Sequence, residues 1–293
     1  MIFPSAPAQG LLAGAAIWGL IWYPYRLLQQ AGLDGLWSTL FTYGLALVIG
    51  VLAFPRHARS LAKMPALAWL MGAAIGWSNL AYVLGVLEGE VMRVLLLFYL
   101  APLWTVPIAR ILLHERLDRR GMAVMALAFT GAMAMLWDPR LGAPWPASRA
   151  EWLGLAAGLL YALGNVLVRR LQGMTDPAKS IVIWAGVTVA ALVHLGGSPI
   201  DAGRAWPLAA AEWPLVTGIA IAVLAMSLAL QYGLSRMPAT RAIVILLSEL
   251  VIAAIAAYLL AGETLRLQDW IGGALIVAAT LAAALGAPQK AQD

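Results

Sequence analysis

Leu100-Ala101-Pro102-Leu103-Trp104, running on to Leu113-His114-Glu115-Arg116-Leu117, recurs 148 residues later as Ser248-Glu249-Leu250-Val251-Ile252, running on to Ala261-Gly262-Glu263-Thr264-Leu265. At the same shift Gly85 and Arg93 fall on Gly233 and Arg241. At a shift of 144, Gly10, Gly14, Arg26 and Leu27 fall on Gly154, Gly158, Arg170 and Leu171. Shared hydrophobicity alone does not align glycines and charges as well as leucines, so the chain reads as a duplication. The halves are placed at 1–140 and 141–293. Each divides into five hydrophobic segments, and an odd number sends the second copy into a bilayer with the opposite orientation, the inverted repeat common in secondary transporters.

Of the 293 residues, 62% are apolar and 11% charged, a balance that excludes a soluble globular domain. A helix crossing the hydrocarbon layer needs roughly 20 apolar residues, because each backbone amide must find its partner within its own segment. Ten such stretches are expected, at 9–30, 36–54, 66–88, 91–114, 119–137, 150–171, 178–196, 212–234, 240–261 and 268–286. The fold class is therefore an all-α polytopic membrane protein. The first helix is expected to be retained, since its apolar run is too long for a cleaved signal. With no Cys, the chain offers no disulfide, thiolate metal site or thiol nucleophile.

A net charge of +5 need not mean nucleic acid, because the cations are distributed by side. With the amino terminus cytoplasmic, Arg56, Arg59, Lys63, Arg110, Arg116, Arg119, Arg120, Arg169, Arg170, Lys179, Arg236, Arg241 and Lys290 face one side. Only Arg26, Arg93, Arg140, Arg149, Arg204 and Arg266 face the other. The positive-inside rule then puts both termini in the cytoplasm.

The doubled pattern of an apolar helix, a Gly-Glu-x-Leu turn and a glycine-bearing helix is carried by Gly262-Glu263-Thr264-Leu265 with Gly272-Gly273, and by His114-Glu115-Arg116-Leu117 with Gly121. On these residues the chain resembles the drug/metabolite transporter superfamily, in particular its ten-helix EamA-type members, over essentially its full length. The Trp-rich first and fourth helices are similar to those of bacterial aromatic amino acid exporters. One departure is plain: the Glu-Pro pair usual in the family's ninth helix is Glu249-Leu250 here, while proline stands in the other half as Pro102. The resemblance implies a bacterial inner-membrane location and a central cavity between the repeats, opened alternately to each side. It implies a small-molecule substrate and no cofactor; a monomer suffices to form the cavity.

Polar side chains in lipid cost several kcal/mol unless they face the bundle interior or a wet cavity, so mid-membrane polar residues mark the path. Asn79, Asn165, Ser227, Gln231, Ser248 and Glu249 are these residues, with Tyr82, Tyr99 and Tyr161 beside them. Trp18 and Trp184 also lie deep, where ring faces stack on an aromatic solute or attract an ammonium group. The expected substrate-binding set is Trp18, Asn79, Tyr82, Tyr99, Tyr161, Asn165, Trp184 and Ser248. Each of these residues is equally at home packing helices together. Glu249, a carboxylate deep in an apolar segment, is the candidate for proton coupling, with a structural role as the alternative. Trp37, Trp69, Trp137, Trp145, Trp152, Trp206, Trp213 and Trp270 are assigned to interfacial belts.

Pro102 and Pro107 interrupt the fourth helix and are candidate hinges or static kinks. The ninth helix has no proline, so the two halves are expected to bend unequally. Glu115 and Glu263 are expected to cap the helices that follow them. The Gly10/Gly14 and Gly154/Gly158 pairs permit close helix approach, either between the halves or across a dimer.

Three function classes remain. The first is an exporter of amphipathic solutes, aromatic amino acids foremost. The second is an exchanger of anionic metabolites such as nucleotide sugars or sugar phosphates, which would want a mid-membrane cation; every Arg lies near a helix end, and Lys63, Lys179 and Lys290 are placed in loops or the tail. The third is an intramembrane enzyme. Its signals are missing: His57, His114 and His194 are scattered, and no His-Glu-x-x-His, nucleophile elbow or phosphate loop occurs. No catalytic residue and no metal ligand is assigned.

Overall fold

The structure, a computed structural model, describes residues 4–89, 91–137, 145–196, 202–262 and 264–285. Glu263, Arg140 and Lys290, assigned above from sequence, lie outside the described residues. In chain order the elements are α1 (Ala6–Gln30), α2 (Gly35–Ala53), α3 (Pro55–Ala58), a 3-10 turn (Leu61–Lys63), α4 (Ala66–Glu88), α5 (Val91–Phe98), α6 (Ala101–Leu112) and α7 (Arg119–Leu136). There follow α8 (Arg149–Arg170), α9 (Asp176–Gly196), α10 (Ala202–Ala211), α11 (Trp213–Arg236), α12 (Ala239–Leu246), α13 (Ser248–Ala261) and α14 (Leu267–Leu285). No strand occurs among the described residues. Nine spans there are long and apolar enough to cross a membrane, with α5–α6 and α12–α13 each counted as one. The remaining expected segment is α7, an 18-residue helix that opens on Arg119-Arg120 and packs along α14.

Short polar side chains set the helix starts. Asp34 accepts from the Leu36 and Trp37 amides at 2.9 and 3.0 Å, Asp118 from Gly121 at 2.7 Å, and Ser148 from Glu151 at 3.3 Å. Glu151 in turn reaches back to the Ala147 amide at 2.8 Å, a variant of the capping box. The cap on α7 is thus Asp118, not Glu115. Glu115 instead accepts from the Ala239 amide at 2.9 Å, capping the distant α12. Within the spans, Thr39, Thr42, Thr105 and Thr188 donate to carbonyls four residues earlier in their own helices, which satisfies each hydroxyl without water. Leu52, Ile111, Leu259 and Leu267 are 70–76% exposed on the outside of the bundle, as lipid contact requires of a multi-pass membrane protein. Of the tryptophans assigned to the belts, Trp37 is buried and stacked on Phe41; Trp145, Trp206, Trp213 and Trp270 point outward.

Both central interruptions fall at matching positions. The fourth span breaks at Tyr99-Leu100, and the ninth breaks at Leu247, 148 residues after Tyr99. The ninth span is thus interrupted as well, without any proline, so a break at this position does not depend on Pro102. Pro102 occupies the first turn of α6, where a helix has no use for the missing amide, and Pro107 lies inside α6.

The glycine pairs pack helices of one chain. Gly10 and Gly14 face α11, while Gly154 and Gly158 face α5. A Cβ on Gly158 would strike the Phe98 carbonyl oxygen and backbone, which have no flexible end to move aside. Gly158→Val is therefore expected to cost about 1–3 kcal/mol of stability by overpacking. A thermal melt in detergent checks this; a melting temperature equal to wild type would mean that α8 and α5 do not approach this closely.

Ion pairs gather at the two ends of the bundle. At one end Arg169 pairs with Glu115 at 3.5 Å and donates to the Ser235 carbonyl at 2.7 Å, and Arg236 pairs with Asp176 at 2.8 Å. Lys179, expected in a loop, is instead in the first turn of α9 and fully buried; its Nζ donates to Ser235 Oγ at 2.5 Å and lies 3.8 Å from Asp176. Burial pushes the Glu115 carboxyl above its ordinary range, against the pull of Arg169 and the Ala239 amide. At the other end Arg93 pairs with Glu151 at 3.1 Å and donates to the Trp145 carbonyl at 2.8 Å, while Arg149 pairs with Glu88 at 3.3 Å.

Candidate functional site

A cavity opens where α1, α2, α4, α8, α9 and α11 surround the two helix breaks. It leaves about 90 Å³ for the centres of water-sized molecules, several times the ~10–15 Å³ that a single water needs. Trp18, Asn79, Tyr82, Tyr99, Tyr161 and Asn165 line it together with Glu249. The remaining expected site residues lie elsewhere. Trp184 is fully buried behind the wall, its indole N–H donating at 2.9 Å to Ser227, which does line the cavity. Ser248 turns away and donates to the Ile245 carbonyl at 2.7 Å, helping to close the break.

The break at Leu247 creates the most unusual part of the site. It begins a new helix, α13, in mid-span and sets Glu249 in that helix's first turn, where the aligned peptide dipoles favour negative charge. Tyr99, at the other break, donates its hydroxyl to Glu249 Oε1 at 2.6 Å. A second, smaller void is lined from both breaks, by Tyr99, Ala101 and Pro102 on one side and by Leu246, Leu247 and Glu249 on the other. The Tyr99–Glu249 bond therefore ties the two interrupted helices together at the cavity wall.

Around this bond the rings form a cluster. Phe98 centres 5.4 Å from Tyr82, 5.2 Å from Tyr99 and 5.4 Å from Tyr161, in tilted and edge-on arrangements. Asn79 Oδ1, Asn165 Nδ2 and Gln231 Oε1, all on lining residues, are buried without a hydrogen-bond partner. Such atoms cost free energy unless something in the cavity satisfies them. Tyr43, Phe98, Ser227, Gln231 and Met226 complete much of the wall and were not in the expected set. Ser227 and Gln231 carried the same mid-membrane polarity signal as Asn79. Phe98 carried little, since an apolar ring in an apolar span looks the same whether it faces a cavity or a neighbouring helix, whereas the mid-span phenol of Tyr43 carried the same signal as Tyr82.

A mid-bundle cavity with a few convergent polar groups, between two broken helices, is the arrangement of a solute-translocating membrane protein. The EamA-like transporter family matches the sequence over residues 8–137 and again over 148–285. The chain belongs to the EamA-like transporter family. An uncharacterized transporter of Archaeoglobus fulgidus is 27% identical over 207 residues, covering 69% of this chain and 70% of that protein. A riboflavin transporter of Rhizobium johnstonii is 28% identical over 204 residues, covering 69% of this chain and 64% of that protein. A solved crystal structure superimposes with a TM-score of 0.76 at 18% identity, covering 97% of this chain and 98% of that one, which establishes a shared fold. In this EamA-like transporter the cavity, not either ion-paired end, collects the mid-span polar groups.

Proposed function

We propose that this chain moves amphipathic, ring-bearing small molecules out of the cell by alternating access, with aromatic amino acids as the first substrates to test. The observation that carries this reading is the cavity wall: six aromatic residues, Trp18, Tyr43, Tyr82, Phe98, Tyr99 and Tyr161, surround a few amides and one carboxylate. Rings present flat apolar faces and a polar rim, which suits a solute that is itself part ring and part polar. The riboflavin transporter among the relatives is named for a ring-bearing solute, which agrees with this choice. Exchange of nucleotide sugars or sugar phosphates finds no support, because no Lys, Arg or His is among the described lining residues.

The two matched stretches, together with breaks 148 residues apart, support two inverted five-helix repeats at 1–140 and 141–293. In this reading both termini face the cytoplasm of a bacterium and the protein sits in its inner membrane. Because the chain has no Cys, single introduced cysteines report topology cleanly. Arg59→Cys is expected to react with an impermeant maleimide only after the cytoplasmic face is opened, and Arg266→Cys in intact spheroplasts. The reverse pattern would turn the whole assignment over.

Purified protein in liposomes, offered aromatic amino acids, nucleotide sugars and hydrophobic amines with and without a pH gradient, tests the function. Uptake confined to ring-bearing solutes is expected. Selective exchange of phosphate compounds would replace the reading with the anionic one.

A further inference from the structure

We propose that the central cavity selects organic cations, holding the ammonium group of a ring-bearing amine against Glu249 within the cluster formed by Tyr82, Tyr99 and Tyr161. This rests on the transport reading above and ranks the solutes within it: amines without a carboxylate come first, zwitterionic amino acids second, anions last.

Charge is the first ground. Glu249 is the one ionisable acid or base among the described lining residues other than the tyrosines, and it is 5% exposed. Its only hydrogen bond among the described contacts comes from the neutral Tyr99 hydroxyl, and no described cation pairs with it. A solute that supplies the missing positive charge gains a charge-assisted hydrogen bond in a site shielded from water. An amino acid brings a carboxylate into the same space, where it meets Glu249 and no cation, so its desolvation is left uncompensated.

Hydrogen-bonding capacity is the second ground, and it is independent of the first. Two of the orphaned atoms on the wall, Asn79 Oδ1 and Gln231 Oε1, accept hydrogen bonds, and one, Asn165 Nδ2, donates. Among these orphaned atoms acceptors outnumber donors by two to one, and the Glu249 carboxylate adds further acceptor capacity beside them. An ammonium group supplies three donors and no acceptor, which fits that surplus; a carboxylate supplies only acceptors. The third ground is the rings. A cation over an aromatic face is attracted by the ring quadrupole, and the hydroxyl-bearing rings of Tyr82, Tyr99 and Tyr161 sit within one cluster on Phe98 beside the carboxylate.

The test varies the head group on one ring. Proteoliposomes take up labelled tryptamine in competition with unlabelled tryptamine, indole-3-ethanol, tryptophan or indole-3-acetate. Wild type is expected to favour tryptamine by about tenfold over both the alcohol and tryptophan, with indole-3-acetate weakest. In Glu249→Gln the preference for the amine over the alcohol is expected to shrink to about twofold or less. Tryptophan competing as well as tryptamine in wild type, or an amine preference that survives intact in Glu249→Gln, would overturn the cation assignment while leaving the transport reading in place. Absence of labelled tryptamine uptake would overturn the cation assignment, and the transport reading falls with it only where labelled tryptophan is not taken up either. The wild-type ranking decides the matter even where the variant fails to fold.

Discussion

Trp184→Ala is expected to destabilise the protein by about 3–5 kcal/mol, the usual cost of removing a large aromatic side chain from a packed core. Trp184 is fully buried, its ring lies against Gly50 of α2, and its indole N–H donates to Ser227 at 2.9 Å. The substitution leaves a void between α2 and α9 and strips the Ser227 hydroxyl of its donor, so a packing loss and a hydrogen-bond loss add at one place. Gly50 has no Cβ with which to fill the gap. A melt of purified protein in detergent measures the effect, with Trp270→Ala as the comparison because Trp270 is 63% exposed. Equal melting temperatures for the two variants would show that Trp184 is not the packing element between these helices.

The second large effect concerns transport and not stability. Asn79→Trp places an indole on the wall of a cavity that leaves about 90 Å³ for the centres of water-sized molecules. A side chain of that size occupies the space the solute needs. Uptake is expected to fall about 100-fold, equivalent to about 2.7 kcal/mol of added barrier, with the melting temperature little changed. Uptake at the wild-type rate would place the path outside this cavity and remove the site as described. Because the side chain of Asn79 bears an orphaned oxygen on an otherwise packed wall, the change also removes a buried polar cost, which offsets part of the strain of the larger ring.

Glu249 and Tyr99 show how far the residues of the site could be read in advance. A carboxylate and a phenol deep in apolar spans mark a path because lipid leaves them no other satisfactory place, and both line the cavity. That they bond to each other, 150 residues apart, has no local signal. It follows from two helix breaks meeting in space, and the second break, at Leu247, has neither proline nor glycine to announce it. Trp184 and Ser248 carried the same signal as their neighbours and face the packing instead. Depth in the membrane is a one-dimensional property, whereas the face a side chain presents depends on the rotation of its helix, which the neighbouring helices fix. Lys179 makes the point at the bundle's end: its charge suggested a loop, yet Asp176 and Ser235 surround it closely enough for burial.

The sequence by itself determined that this chain is a bundle of apolar helices and where most of them begin and end, because lipid demands an unbroken hydrogen-bonded run of about 20 apolar residues for each crossing. Only the tertiary structure decided which polar groups share a cavity, which carboxylate caps which helix, and that the fourth and ninth spans break side by side. Those outcomes depend on contacts between residues far apart in the chain, whose energies arise only when the helices pack and exclude both lipid and water.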